Sequence, residues 1–303
     1  MCHPCHYRWL ALTIFSQPSF PLSPYQDAIA MPPFFTIITS TYNASVTLPR
    51  LLDSLSSQTC RDFNWIVQDG ASSDATMQIV EQYRECLPEV LANSGRDKGI
   101  YDAWNKALDH WKDNLGEWII FLGADDTLYE RRTLEYCKQK IQRFSEDIIF
   151  AAGDIVIVDY DSEKRHFVSV DIKKSFSQRY RETPMPHSSL FQRKSLFLTY
   201  RFDSEYKITG DYDLILEKWR QPSQASALHI CVTQMAYGGI SSNKNFTKQL
   251  KKELGCTIKK HSYVYYIIYR IIESYPLNFI KRMVHNTRIG KNMLQAVKSL
   301  LYK

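Results

Sequence analysis

The sequence predicts an α/β fold: a mostly parallel central sheet with helices on both faces, followed by a helical C-terminal extension. Three observations predict it. Short apolar, β-branched runs alternate with segments whose apolar residues recur at helical spacing, the mark of βαβ units. Three of those runs end in polar turns, as strands do at the ligand edge of an open sheet. The chain of 303 residues is 44% hydrophobic and 23% charged, a globular composition of a length that suits one large domain with an appendage.

Residues 1–30 stand apart. Pro18, Pro21 and Pro24 break any periodicity, and Met31 directly precedes the first strand-like run. This stretch reads as a disordered extension or an upstream mis-start, although an apolar run at 9–15 and the Ala-x-Ala at 28–30 weakly resemble a secretory signal. Cys2, His3, Cys5 and His6 lack the second ligand pair of a zinc finger. The body follows. Residues 34–39 (FFTIIT) form a buried strand. Val46, Leu48, Leu51, Leu52 and Leu55 then recur at helical spacing, with Thr47 as N-cap and Pro49 in the first turn. Residues 63–67 are the next strand, running into Asp69 and Gly70. Ser73 or Asp74 caps a helix over 75–83, and 101–111 is another helix. Residues 118–122 (WIIFL) make a third buried strand, and 134–144 are helical. Residues 148–158 and 166–170 read as strands joined by a polar turn. The domain plan is therefore an extension at 1–30, a catalytic-sized domain at 31–243 and a tail at 244–303.

Composition narrows the function. No apolar run approaches the ~20 residues of a membrane span. The seven cysteines are odd in number and scattered, which argues for a reducing compartment rather than a disulfide framework. Charge is uneven. From 244 to 303, 13 Lys and Arg face only Glu253 and Glu273, a net of +11, so the first 243 residues carry −5 within a total of +6. A basic tail on an acidic body suits an anionic partner.

The strand ends carry the chemistry. Thr41, Tyr42 and Asn43 follow the first strand, Asp69 the second, and Asp125 with Asp126 the third. All reach one edge of the sheet. Paired acids there are stable as anions only beside a cation or water. A hard divalent ion, Mg²⁺ or Mn²⁺, is the natural partner and would in turn hold a diphosphate. No Rossmann glycine fingerprint or P-loop follows the first strand, which disfavours dinucleotide enzymes and P-loop kinases.

Five segments in order resemble the family 2 glycosyltransferases, which have the GT-A fold: 37–43 (IITSTYN), 54–58 (SLSSQ), 67–76 (VQDGASSDAT), 97–107 (DKGIYDAWNKA) and 118–126 (WIIFLGADD). The likeness spans about residues 34–220 and is to bacterial surface-polysaccharide transferases. It implies roles by position. Thr41, Asn43 and Asp69 would serve the nucleotide, with Asp69 accepting from a base N–H. Asp97 and Gly99 would line the donor pocket, Asp125 would lie near the ribose, and Asp126 would bind the metal. Ala124 precedes the acidic pair, so a strict Asp-x-Asp is absent. In 209–214 (TGDYDL), Asp211 matches the family's catalytic base, while the same spacing also suits a helix N-cap. Asp213 is a second, weaker acceptor-side candidate. His187, in the Pro-bounded loop 184–191, either meets phosphate or acceptor or hydrogen-bonds its own loop. Residues 237–241 (YGGIS) would form a flap over the donor.

The resemblance therefore implies an inverting, metal-dependent transferase that moves a sugar from a nucleotide-diphosphate sugar to a glycan or lipid-linked glycan hydroxyl. The competing readings are a non-catalytic nucleotide-sugar-binding protein and a nucleotidyltransferase, which would want a basic Gly-rich loop after the first strand. Residues 248–260 and 263–281 read as helices mixing Lys, Tyr and Ile, a composition suited to an anionic membrane surface. The expected location is cytoplasmic, peripheral at the inner face of the cytoplasmic membrane. No nucleic-acid motif accompanies the positive charge.

Overall fold

The computed structural model describes residues 32–160, 162–181, 183–237 and 247–274. β1 (Phe35–Thr41) is apolar or β-branched at nearly every position and is buried except at Ser40. In α1 (Leu48–Ser56), Leu48, Leu51, Leu52 and Leu55 fall at i, i+3, i+4 and i+7 and form the buried face. Thr47 is its N-cap residue, but the side chain makes no capping bond. Then come β2 (Phe63–Asp69), α2 (Thr76–Gln82), β3 (Val90–Ser94), α3 (Ile100–His110), β4 (Trp118–Phe121), β5 (Thr127–Leu128) and α4 (Thr133–Ile141). The chain continues through β6 (Phe150–Val158), β7 (Arg165–Val168), α5 (Ile172–Gln178), β8 (Leu190–Arg193), α6 (Gly210–Lys218) and β9 (Ala225–Ala236). It finishes with α7 (Thr247–His261) and α8 (Tyr263–Ser274).

Among the described residues the sheet has nine strands in the order β3-β2-β1-β4-β8-β6-β9-β5, with β7 paired to β6. The β3-β2-β1-β4 block is wholly parallel. Beyond it the sheet is mixed. β8 runs opposite to both β4 and β6, β6 and β9 are parallel, and β5 is antiparallel to β9. The expected α/β class holds, with its parallel character concentrated in the half that crossover helices connect.

Period-two alternation builds both layers. Phe35, Ile37, Trp65, Val67, Trp118 and Ile120 face α1, α2 and α4, whereas Ile38, Ile66, Ile119 and Phe121 face α3 and α6. Both faces of the central strands are covered, so their sequences read as continuous apolar runs. β3, α5 and β9 were not anticipated. β3 (VLANS) is short, half polar and only partly buried. β9 mixes polar and apolar residues along its length. The helix expected at 75–83 forms as α2, with Ala75 rather than Ser73 or Asp74 at the N-cap. Asp74 acts just upstream, accepting from the amides of Thr76 at 3.0 Å and Ser45 at 3.1 Å.

The tail packs on α6. On α7, Gln249, Glu253, Thr257 and His261 recur every four residues and share one face. The Glu253 carboxylate, 5% exposed, accepts from the amides of Lys207 (2.9 Å), Ile208 (2.8 Å) and Thr209 (3.1 Å). These amides lie at the entrance to α6, so α7 supplies a capping carboxylate to another helix. Thr257 and Thr209 hydroxyls meet at 3.1 Å, and Ile258 packs on Tyr212 and Leu216. The N-terminal extension, the Cys–His cluster, the expected flap glycines at 238 and 239, and the end of the second tail helix lie outside the described residues.

Replacing Glu253 with Ala should cost about 2–3 kcal/mol in urea unfolding, because one buried and two partly buried amides lose their acceptor. Unchanged stability would contradict the docking of α7 on α6.

Candidate functional site

Because β1, β2 and β4 are parallel, their C-terminal ends meet at one edge, and a cleft of about 760 Å³ opens there. Eight of the ten candidate residues line it: Thr41 and Asn43 after β1, Asp97 and Gly99 before α3, Asp125 and Asp126 after β4, His187 before β8, and Asp211 in the first turn of α6. Asp69 and Asp213 lie elsewhere.

The acidic pair is the electrostatic centre. Asp126 is 6% exposed, and its Oδ2 accepts from the Gly123 amide at 2.9 Å. Burial, and then the neighbouring Asp125 charge, raise its pKa to about 7. A Cβ at position 123 would stand 2.7 Å from Asp125 Oδ1 and 3.0 Å from Asp126 Oδ2. Glycine there lets both carboxylates close over the backbone. Such a pair fits a hard cation that takes one or two carboxylates and fills its shell with phosphate and water oxygens. Among the described residues no cluster of three or more His, Cys, Asp or Glu is placed to hold a metal.

Asp69 does not line the cleft. It is fully buried and lies behind the cleft wall. Its Oδ1 accepts from the Thr41 hydroxyl (2.9 Å) and the Ser72 hydroxyl (2.5 Å). Its Oδ2 accepts from the Ser72 amide (2.9 Å) and the Ser94 hydroxyl (2.7 Å). Burial raises its pKa, but these bonds outweigh that and hold the carboxyl below its ordinary value. In this arrangement Asp69 ties together the ends of β1, β2 and β3, with both oxygens already occupied by protein donors. Asn43, at φ +50°, works beside it. Its amide donates to Ser72 Oγ at 2.8 Å, and its side-chain oxygen accepts from the Ser73 amide at 3.0 Å.

On the next loop Asp97 accepts from the Gly99 amide at 2.9 Å. Gly99 has φ +129°, a conformation that side chains disfavour. The Lys207 ammonium crosses this loop and donates to the Lys98 carbonyl at 2.6 Å, which brings a cation to the cleft.

The opposite wall carries Asp211. Its Oδ1 accepts from the Tyr101 hydroxyl at 3.0 Å, and it lies in the first turn of α6. Tyr101 stays protonated, since burial and then the Asp211 charge push its pKa well above 10. His187 stacks on Trp104 at 4.9 Å and on Phe121 at 5.3 Å, and its Nε2 meets the Gln192 amide nitrogen at 3.0 Å. Burial lowers its pKa, only partly opposed by Asp211. The ring is therefore neutral near pH 7 and forms part of an aromatic wall.

The second acceptor-side candidate, Asp213, does not line the cleft. It points away from the cleft, is 1% exposed, and meets Lys260 Nζ and His261 Nε2 of α7, each at 2.8 Å. Burial raises its pKa, yet the His261 and Lys260 bonds more than offset this and hold it low. Asp213 is two residues from Asp211, a spacing that puts the pair on different faces of one helix. It joins α6 to the tail. The sequence carries no signal for the contacts made by Tyr101, Lys207 and Glu253. Tyr101 sits within the 97–107 segment, but only the fold reveals its hydroxyl against Asp211.

Asp126 has a raised folded pKa, so between about pH 4 and pH 7 the folded state keeps a proton that the unfolded chain has lost. The ligand-free protein should therefore lose stability across that window, on the order of 4 kcal/mol for this group. Asp126→Asn should remove the dependence and exceed wild type in urea unfolding at pH 8. Equal pH profiles for the two would show that Asp126 is not held protonated.

Comparison with known proteins gives concordant findings. Residues 36–201 match the family model for glycosyl transferase family 2. A PGL/p-HBAD biosynthesis glycosyltransferase of Mycobacterium bovis is 29% identical over 266 residues, covering 85% of this chain and 97% of the relative. The poly(ribitol-phosphate) beta-N-acetylglucosaminyltransferase TarS of Staphylococcus aureus is 33% identical over 121 residues, 38% of this chain and 20% of TarS. Among solved structures, S. aureus TarS in complex with UDP-GlcNAc superposes with a TM-score of 0.56 at 20% identity, covering 75% of this chain and 67% of that one. A mannosyltransferase from Pyrobaculum calidifontis in complex with GDP-Man and Mn²⁺ gives 0.52 at 16% identity, covering 90% and 82%. These structural likenesses establish the fold.

Proposed function

The chain belongs to glycosyl transferase family 2, and from that premise we propose that it is an inverting, metal-dependent enzyme acting on a nucleotide-diphosphate sugar. As a glycosyltransferase of GT-A fold it is neither a nucleotidyltransferase nor a binding-only protein. The observation that carries the finer reading is the buried Asp126 beside Asp125, in the same cleft as Asp211. The UDP-GlcNAc complex of TarS and the GDP-Man and Mn²⁺ complex of the mannosyltransferase support a nucleotide sugar and a divalent ion.

In this reading the nucleotide lies along the Thr41–Asn43 loop, which Asp69 holds in place from behind. Asp97 and Gly99 border the donor. Asp126, with Asp125, would hold Mg²⁺ or Mn²⁺. When bound, that ion neutralises the diphosphate as it departs. Asp211 takes the proton from the acceptor hydroxyl while the hydroxyl oxygen bonds to the anomeric carbon. The bond from that carbon to the diphosphate oxygen breaks on the opposite face, so configuration inverts without a covalent enzyme intermediate. Tyr101 fixes one Asp211 oxygen and leaves the other for the acceptor. His187, Trp104 and Phe121 form an apolar wall suited to a sugar face.

The acceptor side rests on the tail. A glycan carried on a lipid diphosphate would be presented at the inner membrane face, and the basic segment after residue 243 would meet that surface. Among the described residues no helix is long and apolar enough to cross a membrane. The division into a catalytic domain at 31–243 and a basic tail at 244–303 belongs to this proposal.

Purified protein with Mn²⁺ and a panel of UDP-, GDP- and dTDP-sugars should release nucleotide diphosphate slowly from one donor by hydrolysis. Asp126→Ala should abolish release, and Asp211→Asn should lower it about 10²-fold or more. Release that persists undiminished in both variants would refute the assignment.

A further inference from the structure

The basic residues of α7 are not spread evenly around the helix. Lys248, Lys251, Lys252 and Lys259 share the side that faces α8, where with Tyr266, Tyr269 and Arg270 they line a groove of about 420 Å³. No carboxylate lines it. The acid that α7 does carry among its described residues, Glu253, lies on the opposite side, bound to the amides before α6. Among the described residues none of these four lysines forms an ion pair with a carboxylate. The Tyr269 hydroxyl donates to the Lys251 carbonyl at 3.1 Å, and Lys259 Nζ sits 5.6 Å from the Tyr266 ring centre, so the aromatic wall is tied to the lysine wall.

A concave surface that gathers four lysines and is lined by no carboxylate concentrates anions. The groove adjoins a second feature. Tyr263, Val264 and Ile267 of α8 are 63%, 52% and 42% exposed. With Arg270 they follow i, i+1, i+4 and i+7, one continuous outward stripe. A free phosphate has no use for an apolar stripe, and neither does a nucleic-acid backbone. A phospholipid surface needs both, headgroup phosphate for the lysines and acyl boundary for the aromatic and aliphatic side chains.

We propose that the groove between α7 and α8 binds the phosphate of anionic lipid headgroups, with Tyr263, Val264 and Ile267 entering the interface beside it. The inference rests on the membrane part of the function proposed above and gives it a specific site. It places the docking helix back to back with the contact that holds α6, since the other face of α7 carries Glu253, Lys260 and His261. The donor cleft has no lining residue in common with the groove, so the two fail separately.

The test is co-sedimentation of the full chain with phosphatidylglycerol vesicles and with phosphatidylcholine vesicles, at low and high salt. Wild type should bind the anionic vesicles preferentially and release them in salt. The Lys252→Glu, Lys259→Glu double variant should lose about tenfold or more in vesicle affinity. Ile267→Asp should weaken binding in a way that salt does not mimic. Unchanged circular dichroism and unchanged donor hydrolysis would show that both variants are folded and keep an intact cleft. Equal binding by wild type and the double variant would overturn the proposal, as would equal binding to neutral vesicles. Competition by inorganic pyrophosphate without vesicle preference would reassign the groove to a soluble phosphate. Tighter binding of an RNA oligonucleotide than of vesicles would also overturn it.

Discussion

A buried carboxyl beside a second carboxylate at the end of β4 is the constraint on which the site depends. Burial and the Asp125 charge make ionisation of Asp126 costly until the pH reaches about 7, and a cation beside the pair would lower that cost. The protein contributes little positive charge itself. Gly123 makes the close approach of the pair sterically possible, and the parallel β1-β2-β4 register brings Thr41 and Asn43 to the same edge. In the proposed function this excess of negative charge is what a divalent cation would balance, and the cation would in turn hold the diphosphate.

The base candidate is positioned by a helix some 40 residues further along the chain. Asp211 sits at the start of α6, and the amides preceding α6 bind Glu253 of the tail. One turn on, Asp213 binds Lys260 and His261. Two buried carboxylates, one on each helix, thus fix α6 against α7 from both ends of the contact. A chain without α7 would leave three amides without their acceptor and Asp213 with only the Tyr200 hydroxyl, at 3.4 Å, a cost of several kcal/mol. The tail therefore helps hold the helix that carries Asp211, and its unpaired lysines lie on the other side of α7.

Much of this was legible in the sequence because the informative signals were local. Buried parallel strands such as IITST and WIIF announce themselves by continuous apolar runs, and residues at their ends must lie at one edge. That rule placed Thr41, Asn43, Asp125 and Asp126 correctly at the cleft. It could not distinguish an acid that faces the cleft from one that faces the loops, and Asp69 proved to be the latter. Asp211 and Asp213 differ by two positions, so only the helix phase separates them, and that phase was not knowable before the start of α6 was fixed. Glu253 was invisible for another reason. A lone acid among lysines reads as charge balance, and its amide partners are more than 40 residues away. β3 and β9 were missed because edge position and mixed faces dilute the apolar pattern.

The central claim, that the acidic pair binds the donor through a divalent ion, is most directly tested by calorimetric titration of UDP-GlcNAc into the protein with and without Mn²⁺, for wild type and Asp126→Asn. The account predicts that Mn²⁺ strengthens wild-type binding by about tenfold or more, and that the variant shows no such gain. Equal affinity with and without the ion, or an identical Mn²⁺ effect in the variant, would contradict it.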